Sequence, residues 1–253
     1  MLYICIPSFD EAPTIGVLLW KIRKVFQEYS REYEILVYDD ASTDATAETL
    51  ESYQKVLPLT VLTGESRVGY AGALTALCKA VAQRTRYARR DAVITLQGDF
   101  TDQPEFIPEL VKRFEGGADV VVAESATPSG EPTPVRQFRR VAPWVLRPFV
   151  RTPGVRDPFG SFRLYRVSVL RDALKAAGDQ PLIHGEGWAA NVDFLLTTSR
   201  FARRVEGVSI SARYDLRPRA SRIKPLAASV ALFHFGRQAR RRVISEPALP
   251  ATS

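Results

Sequence analysis

Five short runs rich in β-branched residues, LYICI (2–6), EILVY (34–38), LTVLT (59–63), AVITL (92–96) and DVVVA (119–123), alternate with stretches whose apolar residues recur at helical spacing. Near-continuous apolar strands are buried on both faces, and strands separated by helices pair in parallel. The intervening stretches 14–29, 43–55, 69–83 and 104–115 supply the crossover helices. This alternation restricts the first half of the chain to an α/β fold, a Rossmann-like, mostly parallel central sheet flanked by helices. Ligands of such sheets sit beyond the carboxyl ends of the strands.

After residue 123 the pattern changes. Residues 126–134 are Pro, Ser, Thr and Gly in the main, which predicts a loop acting as a flexible flap rather than a boundary between independent domains. A basic helical segment (136–150), a glycine-containing apolar patch (157–165), helices near 167–177 and 188–200, a strand at 205–211 and a basic helix at 226–242 follow. With 253 residues, 45% of them hydrophobic, the chain can bury one large core. Its longest apolar stretches fall far short of the roughly 20 residues that cross a bilayer, and no basic leader or small-residue cleavage site opens it. The expected location is the cytoplasm.

Cys5 and Cys78 read as small core residues, and His184 and His234 are far apart in sequence. That composition offers no zinc-type spacing and no Ser/His/Asp arrangement, so the chemistry falls to carboxylates, arginines and a metal ion. The net charge is +7 (35 basic against 28 acidic residues), with the surplus after about residue 136. A field of this sign suits substrate phosphates, an acidic membrane surface or nucleic acid, and does not choose among them. No recognised nucleic-acid module is present, so no nucleic-acid partner is expected.

Polar residues collect at the strand ends: Pro7-Ser8-Phe9-Asp10-Glu11 after the first, Asp39-Asp40-Ala41-Ser42-Thr43-Asp44 after the second, Gln97-Gly98-Asp99-Phe100-Thr101-Asp102 after the fourth. In a doubly wound sheet these three segments converge on one ligand. Asp40, Ser42 and Thr43 also suit capping of the following helix. Asp102 suits the N-cap of the helix opening near Pro104 and is assigned that role over a second metal carboxylate. Gly69 and Gly72 admit either a ligand or a close strand beneath the next helix, and Arg67 before them can meet a phosphate.

IPSFDEAPTI, ILVYDDASTDATAETL, RVGYAGAL, LQGDFTDQPE and DPFGSFRLYR, in that order, resemble the motifs of glycosyltransferase family 2, in particular its dolichol-phosphate-mannose-synthase or polyprenyl-phosphate branch. The resemblance covers roughly residues 2–224 and rests on five ordered motifs. It implies a GT-A fold over 1–224, with a nucleotide-sugar-binding half (1–123), an acceptor-side half (124–224), and a C-terminal basic helix and tail (225–253). It further implies an inverting transfer of a hexose from a GDP-mannose-type or UDP-glucose-type donor to a polyprenyl phosphate. The alternatives are a soluble transferase acting on a saccharide or metabolite hydroxyl, and a catalytically weak nucleotide-sugar-binding protein.

By that resemblance Pro7, Phe9 and Glu11 line the nucleotide pocket, and Asp39 or Asp40 reads the base as a hydrogen-bond acceptor. Gln97-Gly98-Asp99 stands where the family has Asp-x-Asp, so Gln97 replaces an acid that faces the nucleotide. Asp99 and Thr101 are then left as ligands of Mg²⁺ or Mn²⁺, ions that need few protein carboxylates. Arg163, in a segment that resembles D-x-x-S-G-F-R with Gly and Ser exchanged, would grip a phosphate, the alternative being a structural salt bridge. Residues 186–193 match G-Y-x-F-Q-x-E with Trp188 for the tyrosine and Asp193 at the acid. Asp193 or Glu186 would be the base for a hydroxyl acceptor. Residues 217–222 resemble R-x-x-G-x-S-K, one residue shorter, with Arg217 or Arg219, near Arg213, on phosphate. The basic C-terminal helix either packs on the domain or makes a peripheral contact with the cytoplasmic membrane face.

Overall fold

In the computed structural model, which describes residues 1–125, 133–150, 154–210 and 225–245, the five runs are strands. They are β1 (Leu2–Ser8), β2 (Tyr33–Asp39), β3 (Leu59–Thr63), β4 (Ala92–Thr95) and β5 (Val120–Ser125), and β6 (Arg163–Arg166) and β7 (Val205–Ile210) complete the sheet. The helices are α1 (Ala12–Glu28), α2 (Thr46–Gln54), α3 (Gly69–Arg84), α4 (Ile107–Glu115), α5 (Thr133–Leu146), α6 (Val167–Ala177), α7 (Trp188–Ser199) and α8 (Pro225–Ser245). The strand order is β3-β2-β1-β4-β6-β5-β7. Every neighbouring pair is parallel except those of β6, which runs against both β4 and β5.

That single reversal decides the geometry of the site. Because β5 is antiparallel to β6, and β6 to β4, strands β1–β5 and β7 all point one way. Their carboxyl ends share one edge with the start of β6: Arg163 pairs with Thr95 on one side and Val122 on the other. The sequence reading placed only a glycine-containing apolar patch at 157–165. Four residues between two strands, in a stretch with no alternating pattern, carry too little periodicity to be read as a strand.

The sheet is buried on both faces, as the runs require. Ile4, Ile6, Ile35, Val37 and Ile94 meet Ile15, Leu18, Leu19 and Ile22 of α1, Leu50 of α2, and Leu110 and Phe114 of α4. The alternate side chains Tyr3, Cys5, Leu36 and Val93 meet Leu74, Leu77 and Cys78 of α3, with α6 and α7 on the same side. Cys5 and Cys78 are buried free thiols, as core residues should be; burial pushes both thiols up, Cys78 to about 12. A third cluster joins Phe138, Ala142 and Leu146 of α5 to Ala189 and Val192 of α7 and to Leu232, Phe235 and Ala239 of α8. The C-terminal helix therefore packs on the domain through one face.

Several helix starts differ from expectation. α2 opens at Thr46 rather than 43, and α5 at Thr133, inside the expected loop; residues 126–132 of that loop, like the arginines Arg213, Arg217 and Arg219, lie outside the described residues. Ser42 and Thr43 do not cap α2, since its N-cap position is Ala45 without a side-chain bond. Nor does Asp102 cap the one-turn 3₁₀ helix Pro104–Phe106 that leads into α4: the position before it is Gln103. In both places the polar side chains are drawn away by partners from other loops of the same rim, which sequence neighbours do not reveal.

Candidate active site

The loops after β1 and β2 are tied together. Asp10 N–H donates to Ser42 Oγ (3.0 Å), Asp10 Oδ1 accepts from Thr43 N–H (2.7 Å), Glu11 N–H donates to Thr46 Oγ1 (2.9 Å), and Ala12 N–H to Asp44 Oδ2 (3.2 Å). Three non-glycine residues among the described ones have positive φ: Asp10 (52°), Ala41 (56°) and Phe100 (65°). One stands in each loop after β1, β2 and β4. Left-handed backbone at a side-chain-bearing residue costs on the order of 1–3 kcal/mol and persists where surrounding contacts over-determine it, as they do at ligand-holding turns.

The structure separates the two adjacent aspartates. Asp40 is buried, and its carboxylate accepts from Val68 N–H (2.6 Å) and Gly69 N–H (2.9 Å), with Arg67 Nε 3.9 Å away. It holds the N-terminus of α3, where a negative charge complements the helix dipole. Asp39, equally buried, accepts from Ser42 N–H on Oδ1 (3.1 Å).

Arg67 lies with its guanidinium 3.7 Å from the centre of the Phe9 ring while its side chain is 60% exposed. The stacked pair forms a cationic, flat-faced wall at the rim. Pro7 and Glu11 stand beside the loop after β4: a Cβ at Gly98 would lie 3.3 Å from Glu11 Cγ and 3.8 Å from the Pro7 carbonyl oxygen. Only a small residue lets Gln97-Gly98-Asp99 lie this close to β1.

Asp99 is buried at the loop tip, Oδ1 accepting Thr101 N–H at 3.0 Å. Thr101 Oγ1 is buried with no hydrogen-bond partner. A buried hydroxyl left unpaired beside a carboxylate is costly unless a further group joins them. That orphaned oxygen is the observation that fits a divalent cation here. No cluster of three metal-ligating side chains occurs among the described residues, so the ion would take most of its shell from substrate phosphates and water. Gln97 is half-buried and its N–H donates to Asp102 Oδ2 (3.0 Å). The same oxygen accepts Ser161 Oγ–H (2.8 Å). Burial pushes the Asp102 carboxyl up to about 7 against those two bonds; Asp99 adds to the rise and Arg163 opposes it. Asp102 thus clamps the β4 loop to the segment before β6.

Arg163 is 1% exposed. Its guanidinium donates to the Pro158 carbonyl (2.6 Å), the Asn191 carbonyl and Tyr165 Oη (3.2 Å). Among the described residues it forms no salt bridge, and its bonds go to backbone carbonyls and a tyrosine of the protein itself. Position in β6 explains this: placed between Thr95 and Val122, its side chain runs under the rim rather than over it. Asn191 extends the same network, donating to the Phe159 carbonyl (2.9 Å) and accepting from Tyr70 Oη (2.8 Å) at the start of α3.

Asp193 is buried in α7, Oδ2 accepting His184 N–H at 2.6 Å with His184 Nδ1 at 3.6 Å. It lines a cavity of about 510 Å³ with His184, Leu182, Leu196 and Phe201, while Glu186 is exposed. Gly185 sits where a Cβ would come within 2.6 Å of the Ala189 backbone. Gly185→Ala should force the 184–187 turn outward and break the His184–Asp193 bond, costing about 1–3 kcal/mol by overpacking; thermal unfolding checks it. Glu124, at the end of β5, escaped the sequence reading because the strand was ended at Ala123. It accepts from Arg156 N–H and borders a cavity of about 200 Å³ with Arg139, Asp157 and Phe159. Extending the strand-end rule by one residue would have found it.

Six strand ends and the start of an antiparallel strand on one edge of the sheet define an α/β domain of the GT-A kind. The sequence matches the family described as "Glycosyl transferase family 2" over residues 3–174, and the chain belongs to glycosyltransferase family 2. It is 30% identical over 172 residues to a bactoprenol glucosyl transferase of Shigella phage SfV, covering 67% of this chain and 53% of that protein. An SfII prophage-derived bactoprenol glucosyl transferase of Shigella flexneri matches at 30%, covering 67% and 52%. The chain spans about half the length of these curated relatives. Among solved structures it is similar to glucosyl-3-phosphoglycerate synthase from Mycobacterium tuberculosis in complex with Mn²⁺, UDP and glucosyl-3-phosphoglycerate (TM-score 0.63, 19% identity, 100% of this chain and 81% of that one). It is also similar to S. aureus TarS in complex with UDP-GlcNAc (TM-score 0.57, 18% identity, 83% and 56%). At these identities the likeness establishes the shared fold.

Proposed function

We propose that the chain is an inverting glycosyltransferase that moves a hexose from a nucleotide sugar to a polyprenyl phosphate. The observation that carries the donor half is the juxtaposition, on one rim, of the Phe9–Arg67 wall, Asp39 and the Asp99–Thr101 loop. The acceptor half rests on the relatives' printed activity, bactoprenol glucosyl transfer.

In this reading the base seats against Pro7 and Phe9, Asp39 accepts its ring N–H, and Arg67 meets the diphosphate. Glu11, held by Thr14 Oγ1 (2.9 Å), buttresses the Gly98 loop. Asp99 and Thr101 Oγ1 would hold one Mg²⁺ or Mn²⁺, which when bound supplies positive charge against the leaving diphosphate. The acceptor phosphate is ionised at neutral pH, so its oxyanion attacks the anomeric carbon without a general base. Asp193 then serves to position the 184–187 turn, and Arg163 the 158–163 segment. Arg217 and Arg219 are proposed for the phosphates on the strength of sequence alone.

Calorimetric titration of UDP, GDP and their hexose conjugates, with and without Mn²⁺, followed by transfer to a short polyprenyl phosphate, tests the proposal. Binding of one nucleotide class, strengthened by metal, with sugar appearing on the lipid, supports it. A folded chain that binds none of them rules the donor site out, and sugar transfer only to hydroxyl acceptors rules out the lipid phosphate. Arg67→Ala should weaken nucleotide binding about three- to tenfold, the value of one phosphate contact, with only a small drop in melting temperature, because the side chain is 60% exposed and its stacking on Phe9 is worth about 0.5–1 kcal/mol.

A further inference from the structure

α5 and α8 pack side by side, burying Phe138, Ala142 and Leu146 of one and Leu232, Phe235 and Ala239 of the other in a single cluster. Phe149, just beyond α5, meets Phe233 edge-on at 5.3 Å. Among the described side chains, those on the outer faces of both helices include large apolar ones left to solvent. Trp144 is 72% exposed, Val230 57%, Val141 49% and Phe233 42%. Four large apolar side chains on two adjacent helices exceed the scattered exposure ordinary for a surface. Arg136, Arg140, Arg147 and Arg237 are exposed beside them. Residues 133–150 and 225–245 hold four arginines each and not one carboxylate. Within the charged residues of this face nothing of opposite sign sits on the helices themselves, and a second copy of the same face would bring like charges together.

From this we infer that the outer face of α5 and α8 is a docking surface for an anionic lipid bilayer. Trp144, Val141, Val230 and Phe233 enter the headgroup boundary, and the arginines lie over lipid phosphates with their stems along the apolar surface. No described helix is long and apolar enough to cross a membrane, so the contact is in the plane of the interface. The inference stands apart from the donor chemistry, which is at the rim.

The test is co-sedimentation of the full chain with phosphatidylcholine vesicles and with vesicles carrying phosphatidylglycerol. It compares wild type, Trp144→Ala/Phe233→Ala and Arg140→Glu/Arg147→Glu, each first shown by thermal unfolding to be folded. All four positions are exposed, and the charge pair removes no packing. Wild type should partition to the anionic vesicles at least about tenfold better than to neutral ones, more weakly at high salt, and each variant should lose about tenfold or more. Equal partition to both vesicles, no partition, partition unchanged by either variant, or a concentration-dependent dimer that Trp144→Ala dissolves would overturn it.

Discussion

Arg163→Met is expected to lower the unfolding free energy by about 2–4 kcal/mol and Tm by about 5–15 °C. The methionine fills much of the volume but donates nothing, leaving the Pro158 and Asn191 carbonyls and Tyr165 Oη without their shared donor in a site 1% exposed. Arg163→Lys should recover only part, because one ammonium cannot span the two carbonyls as a planar fork does. Activity should fall with stability, and activity measured well below the melting temperature should recover more fully than donor affinity would if a phosphate ligand had been lost. An unchanged Tm with a raised KM for donor or acceptor would return Arg163 to the ligand role that its motif suggests.

Asp99→Asn carries the other large effect. The amide oxygen can still accept Thr101 N–H, the bond Asp99 makes at 3.0 Å, so the fold should survive. The variant loses the charge that a divalent cation needs, and transfer should drop by at least about 100-fold. The metal-dependent increment in nucleotide affinity should vanish with it, while metal-free binding at Asp39 and the Phe9–Arg67 wall persists. Thr101→Val should show a smaller loss of the same kind. Retention of full metal-dependent binding in Asp99→Asn would mean that the cation is held elsewhere and that the unpaired Thr101 hydroxyl has another explanation.

How much of this was legible beforehand varies residue by residue. LYICI, EILVY and AVITL announced buried strands because the centre of a parallel sheet is apolar on both sides, a property written in consecutive residues. Asp99 and Asp39 stand out as candidates because strand ends face ligands in this architecture. Asp40 is equally polar and adjacent in sequence, yet it serves the N-terminus of α3, 28 and 29 residues further along. Asp102 was read as a helix cap from its neighbours, and instead clamps Ser161, 59 residues away. In both places a long-range partner took a carboxylate that local sequence would give to a neighbouring helix.

What the sequence by itself determined is therefore the family, the layered α/β architecture and the polar segments gathered at the strand ends, since each is encoded in local period and in ordered short motifs. The tertiary structure alone decided which strand is reversed, the burial of Arg163 beneath the rim, the engagement of Asp40 with the start of α3, and the exposure of Trp144, Val141, Val230 and Phe233 on α5 and α8. Those depend on which groups meet after the chain has closed. A hydrogen bond or a buried face is a property of two distant segments together, and neither segment carries it alone.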